Sequence, residues 1–457
     1  MPAPPPSPPD PRELLRSRQY LVVLLFGAIL GVPIALVAFY FLKFVNEAQN
    51  WVFGTLPIDL GFHSTPSWWP LPILVLAGLG VAATIHFLPG TGGESPAEGF
   101  KGVGAPTGIE LPGIVIAALL TLCLGAVLGP EAPLIAIGGG LALLAVHLVK
   151  KDAPAQATLV IGAAGSFAAI STLLGSPLVG AVLLMEAAGL GGPMMGVVLV
   201  PGLLASGIGS LVFIGLDNLT GFGTFSLAVP NLPPVTSPTG AEFVWAVVIG
   251  ILAAVLGTAI RRGALLLEPI VAARRLWLTP LIGAAVAVTA ILFQHATNHG
   301  FDQVLFSGEN TIAPLIDNAA TWSVGALVLL VMAKSLAYGL SMSGFRGGPT
   351  FPALFIGAAG GIALSHFSSL PLVAGVAMGV GAMSVTMLGL PLTSVVLTAV
   401  FVEADAIQLV PLIIVAVVVA YVASARLSPA PGPSEGGPSE SGRSDAGPSE
   451  AVGADET

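Results

Sequence analysis

Apolar residues come in long runs along this chain, at about 20–45, 71–88, 111–128, 132–149, 157–174, 177–190, 194–216, 241–259, 277–294, 323–342, 351–366, 371–389, 391–402 and 408–425. None alternates with period two, so the pattern predicts membrane helices rather than the strands of a barrel. Many runs fall short of the about 20 residues that a crossing helix needs. Pro or Gly interrupts them repeatedly, as at Gly175-Ser176-Pro177 and Gly389-Leu390-Pro391. Short, broken segments in matching positions point to a transporter-type site at mid-membrane, because unwound backbone is tolerated there only inside protein or along a cavity. The fold class expected is an all-α polytopic membrane protein.

The breaks recur. Placing Pro177 on Pro391, an offset of 214, also superimposes Gly165 on Gly379, Thr172 on Thr386, Leu174 on Leu388, Gly175 on Gly389, Leu178 on Leu392, Val182 on Val396 and Leu183 on Leu397. At an offset of 219, Pro133 of Gly129-Pro130-Glu131-Ala132-Pro133 falls on Pro352 of Gly347-Gly348-Pro349-Thr350-Phe351-Pro352. Each half therefore offers a broken helix start, and an odd number of spans per half would make the repeats inverted.

Composition sharpens this picture. Charged residues make up 9% of the chain against about a quarter in soluble domains, hydrophobic ones 55%, and the mean hydropathy is +0.94. The 58 glycines suit helices that approach closely. The net charge of −9 gathers partly in an acidic tail, so no nucleic-acid partner is implied. The single Cys123 excludes an intramolecular disulfide. The six histidines lack metal-ligand spacing; His295 and His299 at i, i+4 have no nearby acids, and neither metal nor cofactor is expected. The expected organisation is a disordered Pro-rich leader over 1–19 with Arg12, Arg16 and Arg18 as its basic flank, a transmembrane domain over 20–426, and a disordered Ser/Gly/Pro tail over 427–457. The domain divides into a first repeat at about 20–216 and a second at about 241–426. The leader carries no convincing cleavable signal, and its arginines favour a cytoplasmic N-terminus. Trp51, Trp68 and Trp69 suit a membrane interface.

One acid stands out. Glu131 lies between Ile114–Leu128 and Leu134–Val149, neither of which holds another acid. Ionising it in a bilayer costs several kcal/mol unless something nearby is positive. Pro133 suits the first turn of a helix, whose N-terminus supplies such a partial charge. The plain alternative is an acid in a solvated loop, and the flanking prolines weigh against it.

These residues resemble those of the CLC family of chloride channels and chloride/proton antiporters, over most of 70–426, as in a divergent, bacterial-type member. Gly129-Pro130-Glu131-Ala132-Pro133 is similar to the family's Gly-Arg-Glu-Gly-Pro, whose Glu is an anion-mimicking gate. The run Gly347 to Gly357 is similar to the segment that opens a second anion-coordinating helix, and Ser176-Pro177-Leu178 to Glu186 and Pro391-Leu392-Thr393 add two more. The resemblance implies an inverted repeat of many short, tilted, broken helices in a multi-pass protein of the cell membrane with cytoplasmic termini. It further implies a homodimer with one pore per subunit and a partner that is chloride or a similar small anion, with protons as a second. Helix N-termini bind anions through unpaired N–H groups and the macrodipole, with no fixed full charge to hold the ion too tightly. Carried over residue by residue, the gate is Glu131 and the anion-binding residues are Ser95, Gly129, Pro130, Ala132, Pro349, Thr350 and Phe351.

Departures limit the carry-over. The family's Arg is Pro130 and its second Gly is Ala132. In the family's Gly-Ser-Gly-Ile-Pro loop a Ser coordinates chloride; here Gly93, Glu94 and Ser95 all compete for its place, and Ser95 is preferred as the one hydroxyl. Thr350 takes the family's Phe position, with Phe351 one place later. The family's central tyrosine lies in a last helix with no counterpart before the tail, and Tyr421 resembles an earlier position. Antiporters of the family carry two successive acids near the end of one helix; here Glu186 is followed by Ala187, which leaves Glu186 as the one candidate for a proton path or a structural cap. The function expected is chloride transport gated by Glu131, channel-like or weakly proton-coupled. The alternative is a proton-coupled chloride or fluoride antiporter. An intramembrane enzyme ranks lower, because Ser206 and Ser343 near glycines have no paired His. Glu403 and Asp405 read as solvated or structural, Lys334 as paired or snorkelling, and Arg261-Arg262 and Arg274-Arg275 as loop charges.

Overall fold

A computed structural model of the chain describes residues 16–99, 105–150, 154–171, 173–174, 176–189, 194–221, 238–403 and 406–428. Most of the expected leader and tail, and with them Thr172, Gly175 and Asp405, lie outside the described residues. The described chain is helical. The helices are α1 (Arg18–Asn50), α2 (Leu56–Asp59), α3 (Pro70–Phe87), α4 (Leu111–Cys123), α5 (Glu131–Val149), α6 (Ala155–Ile170), α7 (Pro177–Ala187) and α8 (Met194–Thr220). They continue as α9 (Gly240–Ala273), α10 (Arg275–Thr297), α11 (Glu309–Asp317), α12 (Val324–Gly344), α13 (Thr350–Phe367), α14 (Leu372–Leu388), α15 (Pro391–Val402) and α16 (Ala406–Leu427). Among the described residues nine are long and apolar enough to cross a membrane, so the protein is a multi-pass membrane protein.

Polar punctuation sets several helix starts. Ser176 and Ser323 accept the N–H of Leu178 (3.2 Å) and Ala326 (3.1 Å) to cap α7 and α12. At the other end of α14, Gly389 takes φ 71°, the left-handed conformation that closes a helix and turns the chain into Pro391.

Packing follows the repeat. α5 runs along α6 as α13 runs along α14, and α1 lies on α6 and α8 as α9 lies on α14 and α16. Both α5/α6 and α13/α14 touch through glycine backbone: Gly138 faces Gly165, and Gly357 faces Gly379, with no room for a Cβ at any of the four. Gly129 and Gly348, themselves offset by 219 residues, pair with each other in an antiparallel bridge, N to O at 2.8 and 2.7 Å. A segment that pairs antiparallel with its own repeat sits on a local two-fold axis, as an inverted repeat requires.

Two sequence readings are corrected. Arg261 and Arg262 lie inside α9, which runs on to Ala273 because the apolar pieces on both sides of them join into one helix. Their long side chains reach the carbonyls of Glu98 and Leu427. Among the described residues Lys334 has no acid within ion-pair distance, and it does not snorkel: it is fully buried and donates to the carbonyls of Gln303, Leu305 and Phe306 at 3.1–3.3 Å, with its ammonium 4.2 Å from the Phe355 ring centre.

Candidate functional site

Two unwound segments meet where α5 and α13 begin. Pro130 and Pro349 precede the helices, and Pro133 and Pro352 occupy the third helical position and bring no N–H. In each first turn this leaves two donors without intrahelical partners, those of Glu131 and Ala132 and those of Thr350 and Phe351. The Gly129–Gly348 bridge holds the two starts against each other.

The Glu131 carboxylate sits on the α13 start. It is fully buried, and Oε1 accepts the backbone N–H of Thr350. Its Oε2 has no hydrogen-bond partner, and neither does the buried hydroxyl of Thr350. Gly129 and Gly348 cradle the group, since a Cβ on either would land on the carboxylate. Glu131 therefore rests, buried, on a helix N-terminus, where backbone donors and the macrodipole favour negative charge, with one oxygen idle.

Next to these helix starts lies a cavity of about 650 Å³, lined among others by Ser95, Ala132, Pro133, Arg346 and Pro349. Gly93 and Glu94 line it too, so all three candidates for the loop position reach the same space. They differ in chemistry: Gly93 takes φ 94°, Glu94 is exposed, and the Ser95 hydroxyl is buried with no partner. The structure thus brings Gly129, Pro130, Glu131, Ala132, Pro349, Thr350 and Phe351 together, with Ser95 on the adjoining cavity.

Glu186 stands elsewhere. At the end of α7 it accepts the N–H of Leu392 (3.0 Å) and Thr393 (2.7 Å) and the Thr393 hydroxyl (2.6 Å), spanning the first turn of α15. Tyr421 in α16 is 41% exposed. Three residues near the site went unread in the sequence. Tyr338, fully buried in α12, donates its hydroxyl to the carbonyl of Pro349 at 2.8 Å. Arg346 is buried two residues before Gly348. Glu309 opens α11, partly buried; burial pushes its carboxyl up to about 8, and the charge of Glu131 adds to the shift. A charge inside the glycine-rich run Ser343–Gly348 was the one available signal for Arg346. Among the described residues no cluster of His, Cys, Asp and Glu could hold a metal ion.

The voltage gated chloride channel family matches residues 78–425. The chain belongs to that family. It is 26% identical over 375 residues to the putative ion-transport protein YfeO of Escherichia coli O139:H28, covering 78% of this chain and 82% of that one. Among solved structures, a slow cyanobacterial Cl⁻/H⁺ antiporter aligns at TM-score 0.71 and 19% identity, over 89% of this chain and 94% of its own. A CLC-type fluoride/proton antiporter aligns at TM-score 0.64 and 19% identity, over 89% and 96%. These likenesses are of fold.

Proposed function

We propose that the protein carries a small anion, chloride first, across the membrane through the meeting point of α5 and α13, with Glu131 as the gate. One observation carries the reading: a fully buried carboxylate rests on the Thr350 N–H at a helix start, where a transported anion would rest. Ionised, Glu131 fills that place and blocks it. Protonated or displaced, it loses the charge-assisted bond to Thr350 and swings aside, and the anion takes over the same donors. Ala132, Thr350 and Phe351 offer backbone N–H groups, Thr350 adds its idle hydroxyl, and Gly129, Pro130 and Pro349 shape the turn that exposes them. Ser95 offers a hydroxyl at the cavity end of the path. Tyr338 fixes the Pro349 turn from behind. Anion efflux from proteoliposomes, compared between the parent and Glu131→Ala across acid to neutral pH, tests this. No anion flux in the parent would sink it.

Proton coupling is a separate matter. Glu186 is engaged by three donors of α15, and Ala187 beside it cannot titrate, which supports a channel-like or weakly coupled conductor. The antiporter reading is favoured by the two structural neighbours described as Cl⁻/H⁺ and fluoride/proton antiporters. Proton pumping driven by an anion gradient separates them, because pumping in fixed proportion to anion flux would overturn the channel-like reading. We further infer two repeats at about 20–216 and 241–426, and a cell-membrane homodimer with cytoplasmic termini, testable by cross-linking in native membranes and by accessibility of tags at either end.

A further inference from the structure

Arg346 sits oddly for a site that works without fixed charge. It is 6% exposed and lies between the end of α12 and Gly347-Gly348, where it lines the cavity that reaches Ser95, Ala132, Pro133 and Pro349. Its backbone N–H is held by the Thr121 hydroxyl at 3.2 Å, which fixes the residue on α4. Its Nε donates to the carbonyl of Thr91 and its Nη1 to that of Phe345, both at 3.2 Å. A guanidinium has five N–H donors, so these two bonds leave surplus donors at the cavity.

No carboxylate lies within ion-pair distance of Arg346 among the described residues. Glu98 and Glu268 act on it only at longer range, where Arg275 opposes them. Of the acids lining the cavity, Glu94 is exposed, and Glu110 accepts the Thr107 N–H at 2.8 Å within its own turn. A buried cation without a counter-ion is expensive, and two carbonyl dipoles offset only part of that cost. In the same cavity the Ser95 hydroxyl is buried and unpartnered. A cation with spare donors and an idle hydroxyl face one space of about 650 Å³, wide enough for a small anion with part of its water.

We propose that this cavity is an anion antechamber, in which the Arg346 guanidinium concentrates a small monovalent anion beside Ser95 before the ion meets Glu131. The proposal rests on the transport reading above and deepens it. The attracting charge stands to one side of Glu131, where it raises local anion concentration without clamping the ion at the gate.

The test is the anion dependence of flux in proteoliposomes of the full chain, for the parent, Arg346→Lys and Arg346→Gln. Loss of charge in Arg346→Gln is expected to raise the half-saturating anion concentration by roughly three- to ten-fold, with maximal flux little changed. Lysine keeps the charge but not the two-carbonyl fork, so Arg346→Lys is expected to stay near the parent. Equal defects in both variants would assign Arg346 to holding Thr91 and Phe345 and overturn the proposal. An unchanged half-saturation in Arg346→Gln would overturn it too, leaving the transport reading in place; absence of flux in the parent would defeat both. Should Arg346→Gln fail to fold, the parent alone still decides: raising ionic strength with an impermeant salt is expected to increase its half-saturating concentration, and a flat response overturns the antechamber.

Discussion

Two carboxylates of the first half close onto helix starts of the second, and they do so differently. Glu131 reaches α13, is wholly buried, takes one backbone N–H and leaves its other oxygen idle. Glu186 reaches α15 and takes two N–H groups and a hydroxyl, using both oxygens. The same helix-terminus attraction acts at both. A carboxylate with both oxygens engaged by three donors is a staple. Glu131, with one oxygen unpaired in a cradle of two glycines, has fewer bonds to give up if it leaves.

The largest expected effect breaks the comparison at Glu131. A charge-assisted hydrogen bond contributes about 1.5–3 kcal/mol, which is roughly ten- to a hundred-fold in occupancy. Flux in the parent should rise by that order as pH falls and the carboxylate is released, and Glu131→Ala should flatten the response in the same efflux assay. Glu186→Ala should do the reverse: it leaves the pH response intact but strips the first turn of α15, at a cost of about 2 kcal/mol in thermal or denaturant unfolding. A flattened pH response in Glu186→Ala would mean that the two acids are not distinct in kind.

Much of this comparison was legible in the sequence, for physical reasons that also mark where legibility stops. Pro130, Pro133, Pro349 and Pro352 break the helices whatever surrounds them, so both starts could be read from spacing. The glycine contacts Gly138–Gly165 and Gly357–Gly379 left their trace in the repeat. The partners of the polar groups left none. Arg346, Lys334 and Tyr338 all bond to backbone carbonyls, which every residue carries, and Glu186 meets Thr393 across 207 positions of chain. Arg261-Arg262 misled because a charge pair reads as a loop, although α9 passes straight through it.

Thr350→Val sharpens the comparison at a smaller scale. It removes the unpartnered Thr350 hydroxyl and keeps the backbone N–H on which the Glu131 carboxylate rests. One neutral hydrogen bond is worth about 1 kcal/mol, so relative permeability between a strongly hydrated anion and chloride should change by about five-fold, with gating by pH retained. Reversal potentials or competing-anion efflux would measure it, and an unchanged ratio would remove the hydroxyl from the ion's path.

The smallest effect concerns a third acid at a helix start, this time its own. Glu309 opens α11 with a carboxyl raised by burial, and secondarily by Glu131, from 4.5 to about 8. The folded chain therefore holds a proton that the unfolded chain releases between those values. By linkage its contribution is fully present below pH 4.5 and is lost as pH rises towards about 8, so stability falls across that window. Glu309→Gln keeps the neutral shape and cannot titrate, so its unfolding midpoint should decline less over the same window than the parent's. Because part of the shift comes from Glu131, the difference should narrow in a Glu131→Gln background; if it does not, Glu309 is insulated from Glu131, and α11 stands outside the comparison that joins the other two acids.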